Sequence, residues 1–125
     1  MADTDKDTLA KTLRFKKIEG RLGCAKVGAT VDGDFLNGVG IAHGGYLFSL
    51  ADYASGIATN TKDITVVSAS TWINFVAPCP AGAEIVAIAT MAYDNGKTGV
   101  CDVIIKSADE QTVYALFQSR VITKR

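Results

Sequence analysis

Histidine occurs once in this chain, at position 43, and the three cysteines, Cys24, Cys79 and Cys101, never stand at C-x-x-C spacing. Structural zinc needs clustered Cys and His ligands, so counting alone removes that class. A site made only of carboxylates is not removed by the count, but no EF-hand spacing is present. No metal and no cofactor is expected. Three scattered thiols suit free cysteines in a reducing compartment, with the cytoplasm as the expected location. Net charge is also lacking: 13 Lys and Arg cancel 13 Asp and Glu. Without a basic excess, nucleic acid is not an expected partner. No run of 18 apolar residues occurs, so nothing is expected to span a membrane. The start, Met1 to Asp7, is acidic and polar, unlike a signal or transit peptide.

What is present fits one domain, residues 1–125. The hydrophobic fraction of 48% amounts to about 60 side chains, enough for a core without staples. Leu9, Leu13 and Phe15 among polar neighbours predict a short helix over 7–17. The stretch from Cys24 to Val31 alternates loosely and predicts a strand, closed by Asp32-Gly33-Asp34. Residues 35–42 contain Asn37, Gly38 and Gly40 and read as a loop. From His43 to Thr61, Leu47, Leu50, Ala51, Ala54, Ile57 and Ala58 recur at three- and four-residue steps, predicting a long helix with one apolar stripe. Gly56 inside it points to a crowded contact. Four strands follow, over 64–75, 83–93, 98–107 and 112–123, with Asp94-Asn95-Gly96-Lys97 as a hairpin turn. This order of elements is an α+β pattern in which an antiparallel sheet wraps the helix.

Two nucleotide-like motifs fail. Gly96-Lys97-Thr98 lacks the glycine five residues earlier, where Met91 stands, and lies in a hairpin turn. Gly38-Val39-Gly40-Ile41-Ala42-His43 has histidine in place of the third glycine and no βαβ setting. No G-x-S-x-G supports a serine triad, and the cysteines read as small buried hydrophobes rather than partners of His43.

The segment that carries chemistry runs from Asn37 to Asp52. A glycine-rich loop delivers His43-Gly44-Gly45 to a helix start, where the first backbone N–H groups lack intrahelical acceptors and the helix dipole is positive. Gly44 and Gly45 have no Cβ, so a ligand oxygen can approach their amides; these are the parts of an oxyanion hole. A proline at 44 would delete that amide and is expected to disrupt the helix start. Asp52 lies mid-helix beside the apolar stripe, with no capping task. A solvated face shared with Ser49, Ser55 and Thr59 is the ordinary alternative. A helix wrapped by a sheet has little such face, and a buried carboxylate needs a reason. Nine residues separate His43 from Asp52, so at about 100° per residue they differ by half a turn, and by about 13.5 Å along the axis. If both act on one substrate, they come from two subunits, as an antiparallel helix pair across a two-fold axis provides.

The run Asn37, His43-Gly44-Gly45 and Asp52, followed by the strand Val67-Ser68-Ala69-Ser70-Thr71-Trp72-Ile73-Asn74-Phe75 ending at Pro78, resembles the hotdog-fold acyl-CoA thioesterases of the phenylacetic acid degradation branch. The resemblance implies a hotdog fold and hydrolysis of an acyl-CoA to free acid and CoA. It implies that the Gly44 amide polarises the thioester carbonyl. Asn37 and His43 would hold the loop, with His43 assisting the leaving thiolate. Asp52 of the facing subunit would activate a water, with direct attack by Asp52 as the alternative. Ser68, counted back from Pro78, would position that water, with Ser70 as its neighbour on the same face. Gly45, Tyr46 and Phe48, with Phe35, Leu36 and Tyr53, would bind a short or aromatic acyl group. Lys97, Lys106, Arg120, Lys124 and Arg125 are candidates for the CoA phosphates. A homodimer with shared sites is implied, assembled as a dimer of dimers, a homotetramer. A hydratase or dehydratase on the same scaffold, and a non-catalytic acyl-CoA-binding module, are the competing readings. The first needs both groups at the α and β carbons, and a sensor needs an output element for which this chain has no spare length.

Overall fold

Alternation with a period of two marks two of the strands cleanly. The computed structural model describes residues 4–61 and 63–124. It contains strands Lys16–Arg21 (β1), Cys24–Thr30 (β2), Thr65–Phe75 (β3), Glu84–Asp94 (β4), Thr98–Ser107 (β5) and Val113–Lys124 (β6). The helices are Thr8–Thr12 (α1) and Gly44–Thr59 (α2), with 3-10 turns at Thr4–Lys6 and Gly33–Phe35. In β2, Ala25, Val27 and Ala29 turn inward; in β5, Cys101, Val103 and Ile105 do so. All strand pairs are antiparallel, in the order β1-β2-β4-β5-β6-β3, and the sheet does not close.

The predicted stripe of α2 is the core. Leu47, Leu50, Ala51, Ala54, Ile57 and Ala58 are all buried, and α2 touches all six strands. Alanines on both sides of the contact, Ala51, Ala54 and Ala58 against Ala25, Ala87 and Ala89, let the sheet curl closely round the helix. Asn60 fastens the helix end to the site-bearing strand: its Nδ2 donates to the Gly56 carbonyl at 2.8 Å and its Oδ1 accepts from the Val66 N–H at 2.7 Å.

Three expectations are corrected. The helix expected over 7–17 ends at Thr12, because Arg14 takes a left-handed φ of 61° and the chain then enters β1. That sixth strand was not predicted: all its residues are exposed, and a register shift between Lys17 and Glu19 removes any alternation. Gly56 meets no crowding, since a Cβ there would have nothing within 4 Å. The close approach is at Gly20 instead, where a Cβ would come 2.6 Å from Ile57 Cγ2. At the hairpin, Gly96 has φ of 89° and Asn95 Oδ1 accepts from the Lys97 and Thr98 amides, as the Asn-Gly turn requires.

Candidate active site

The first cluster is the start of α2. Asn37 shapes the loop before it: its Oδ1 accepts from the Val39 and Ile41 amides at 3.0 and 3.3 Å, and its own N–H donates to the Ile41 carbonyl at 2.8 Å. His43 is the N-cap of α2. Its Nδ1 accepts from the Gly45 N–H at 2.9 Å, and its carbonyl accepts from the Tyr46 and Leu47 amides. With Nδ1 an acceptor, a neutral His43 ring carries its proton on Nε2, free to donate outward. Among the described residues no acceptor lies on the Gly44 N–H, so this donor of the first turn is left for a ligand. The Phe75 ring lies over Gly44: a Cβ here would stand 3.0 Å from Phe75 Cζ.

Gly44 is also the first helical residue, preceded by His43 at φ −64° and ψ 136°. Proline's backbone suits that position and accepts an extended residue before it, although its Cβ would press on the Phe75 ring. Gly44→Pro is therefore the direct way to delete the donor, at a helix start whose backbone accepts proline.

The second cluster lies around Asp52. Ser68 Oγ donates to Asp52 Oδ1 at 3.5 Å, and Ser119 Oγ donates to Ser68 Oγ at 3.0 Å. Sequence reading did not single out Ser119, because a lone serine in a strand carries no signal of burial. Asp52 is exposed on the single chain, although its helix neighbours Ser55 and Thr59 are buried. The sheet thus leaves open the one side of α2 that holds the carboxylate, rather than burying it as expected. Even so, loss of hydration raises the Asp52 carboxyl above the ordinary carboxylate value; the charge of Asp7 raises it further, and the Ser68 hydrogen bond opposes both.

Two cavities border Asp52. One of about 420 Å³ is lined by Asp52, Ser68, Tyr53, Asn60 and Lys6, and the other, of about 220 Å³, by Phe15, Phe48, Tyr53, Leu9 and Asp7. Neither reaches His43, Gly44 or Asn37. One chain therefore brings Asn37, His43, Gly44 and Gly45 together, and Asp52 with Ser68, but does not join the two clusters.

Two binding assignments change. Tyr46 belongs to the core: it is 4% exposed, stacks on Phe35 at 4.8 Å, and its hydroxyl donates to the Thr30 carbonyl at 3.2 Å. Its burial pushes the phenol up to about 12. Ser70 does not share a face with Ser68. A bulge at Ala69 pairs Ser68 with buried Val121 but Ser70 with exposed Arg120, so the two serines point to opposite faces. Phe48 and Tyr53 do line the small cavity beside Asp52. Of the candidate phosphate ligands, Lys106 is paired with Glu110 at 3.6 Å, and Arg125 lies outside the described residues. Groups of three or more metal-ligating side chains are absent among the described residues, and no described helix is long and apolar enough to cross a membrane.

Residues 39–114 match the family described as the thioesterase superfamily. The chain is 37% identical over 116 residues to the acyl-coenzyme A thioesterase PaaI of Escherichia coli, covering 93% of this chain and 82% of that protein. The solved E. coli PaaI protein from the phenylacetic acid degradation operon superposes with a TM-score of 0.91 at 34% identity, over 97% of this chain and 87% of its own. A Streptococcus mutans protein solved with acetyl CoA superposes with a TM-score of 0.82 at 25% identity, over 88% of each chain.

Proposed function

The chain belongs to the thioesterase superfamily with a hotdog fold, and on that premise we propose how it works as an acyl-CoA thioesterase. The thioester carbonyl oxygen sits on the Gly44 N–H at the positive end of α2. A water held by Asp52 and Ser68 attacks the carbonyl carbon, and Asp52 takes its proton. The resulting oxyanion is stabilised at Gly44. The tetrahedral intermediate then collapses, expelling the CoA thiolate, toward which the His43 Nε2–H donates, and leaving the free acid. Removing one such donor typically costs about 10²–10³ in rate, and a positioned base contributes about 10²–10⁴.

One observation carries this reading: the Asp52 carboxylate and its serine partner stand on the side of α2 that the chain's own sheet leaves open, about 12 Å along the helix from the Gly44 amide it must work with. Two copies with antiparallel α2 helices bring each Asp52 to the other's Gly44, making two identical sites in a homodimer. The long edge strand β3, with exposed Val67, Trp72 and Phe75, supplies surface for a second copy. A homotetramer follows from the family resemblance.

The acyl group enters the small cavity beside Asp52, whose Phe15, Phe48 and Tyr53 walls suit a short or aromatic acyl chain. The three free cysteines fit a cytoplasmic location. The test is thiol release from aryl, short-chain and medium-chain acyl-CoAs, with Asp52→Asn compared at equal oligomeric state. Turnover is expected to fall about 10²–10⁴-fold. Near-wild-type rates from Asp52→Asn would remove Asp52 from the mechanism.

A further inference from the structure

The inward row of β6 runs Ala115, Phe117, Ser119, Val121, and Ser119 is its one polar member, with no exposed surface at all. A hydroxyl buried among apolar neighbours is costly unless it is hydrogen-bonded. Among the described residues its side-chain partner is Ser68, at 3.0 Å. We propose that Ser119 is a positioning residue for hydrolysis, holding the Ser68 hydroxyl in the one orientation that serves both Asp52 and the attacking water. This rests on the assignment of Asp52 and Ser68 made above.

The backbone is arranged for that contact. Thr71 pairs with Ser119, and regular pairing continued along β3 would set Ser68 opposite Ile122. Ile122 lies next to Val121, so Ser68 would then face away from the helix. The bulge at Ala69 shifts Ser68 to Val121, whose side chain is buried, and so turns Ser68 inward between Ser119 and Asp52. The hydroxyl count then closes. A serine hydroxyl offers one donor and two acceptor positions. Ser68 donates to Asp52, and Ser119 fills one acceptor position. The remaining acceptor takes the second hydrogen of a water whose first hydrogen is directed at Asp52. That fixes the water's lone pair toward the thioester carbon. Ser119 itself makes and breaks no bond.

The experiment is a thiol-release comparison of wild type, Ser119→Ala, Ser68→Ala and the double variant on one acyl-CoA. Ser119→Ala is expected to lower kcat about three- to tenfold with KM held within about twofold, the size of one neutral hydrogen bond. In the Ser68→Ala background the same change is expected to cost nothing further, because Ser119 acts only through Ser68. Ser119→Cys, which keeps the volume but donates poorly, is expected to reproduce the loss. An equal loss in both backgrounds, a loss confined to KM, or a full rate from either Ser119 variant overturns the proposal. If Ser68→Ala itself runs at the wild-type rate, the assignment of Ser68 fails instead.

Discussion

Asp52 must ionise to act as a base, yet its surroundings favour the neutral acid. Partial loss of hydration and the charge of Asp7 raise its carboxyl, so the folded chain holds that proton to a higher pH than the unfolded chain does. Below the ordinary value of 3.8 both states carry the proton and residue 52 contributes no pH dependence. As pH rises, the unfolded chain ionises first, and the stability present at low pH is lost until the folded carboxyl also ionises. Asn cannot ionise and avoids that loss. Asp52→Asn is therefore expected to melt at a higher temperature than wild type at pH 7, with the gap closing toward pH 3.5, measured by thermal unfolding at both pH values. A gap that widens on acidification would contradict the raised carboxyl. The residue stands out in the sequence because an aspartate with no capping role beside an apolar stripe breaks a local rule, the kind of break that makes it a candidate. Ser119 breaks no rule that a single sequence displays, and only the sheet register reveals it.

At the scale of elements, α2 was read from its stripe and its Asn-Gly neighbour hairpin from its turn, because periodicity and turn chemistry are local. The strand β1 was not, because Lys16 to Arg21 has no buried face and owes its strand geometry to β2 alone. The same limit hid the role of α1. A five-residue helix has little signal, yet it sets Asp7 and Phe15 against the cavity beside Asp52. Asp7 caps α1, its Oδ1 accepting from the Ala10 N–H at 2.9 Å. Asparagine caps about as well as aspartate but carries no charge. Asp7→Asn is expected to leave the fold intact and to move the acid limb of the kcat/KM profile to lower pH, since the second cause of the raised Asp52 carboxyl is gone. An unmoved limb would show that Asp7 does not act on Asp52. Within α2, Gly56 has open space where a Cβ would go. Gly56→Ala is expected to stabilise the protein by about 0.5–1 kcal/mol, read from denaturant unfolding; destabilisation would mean that a neighbouring copy crowds that position.

At the scale of the molecule, the separation of Gly44 from Asp52 along one rigid helix, eight residues or about 12 Å, bears on the assembly. No rotamer carries a short aspartate side chain across that distance, so the proposed site takes Gly44 from one copy and Asp52 from another. The proposed division is read in the sequence from the nine residues between His43 and Asp52, while the exposed sheet edge, β3 with Trp72 and Phe75, required the strand order. The sharpest check mixes two defective chains. Asp52→Asn keeps the donor and lacks the base; Gly44→Pro keeps the base and lacks the donor, at the first helical position, where the backbone accepts proline. Each alone is expected to lose at least about 100-fold in thiol release. Unfolded together and refolded at equal amounts, about half the dimers are mixed, and each mixed dimer regains one of its two sites. The mixture is then expected to recover about a quarter of wild-type activity, as the statistics of random pairing dictate. A site contained within one chain gives no recovery, because every chain in the mixture lacks one of the two groups. Zero recovery from a mixture shown to contain mixed dimers would therefore place both groups in a single subunit and end the shared-site mechanism.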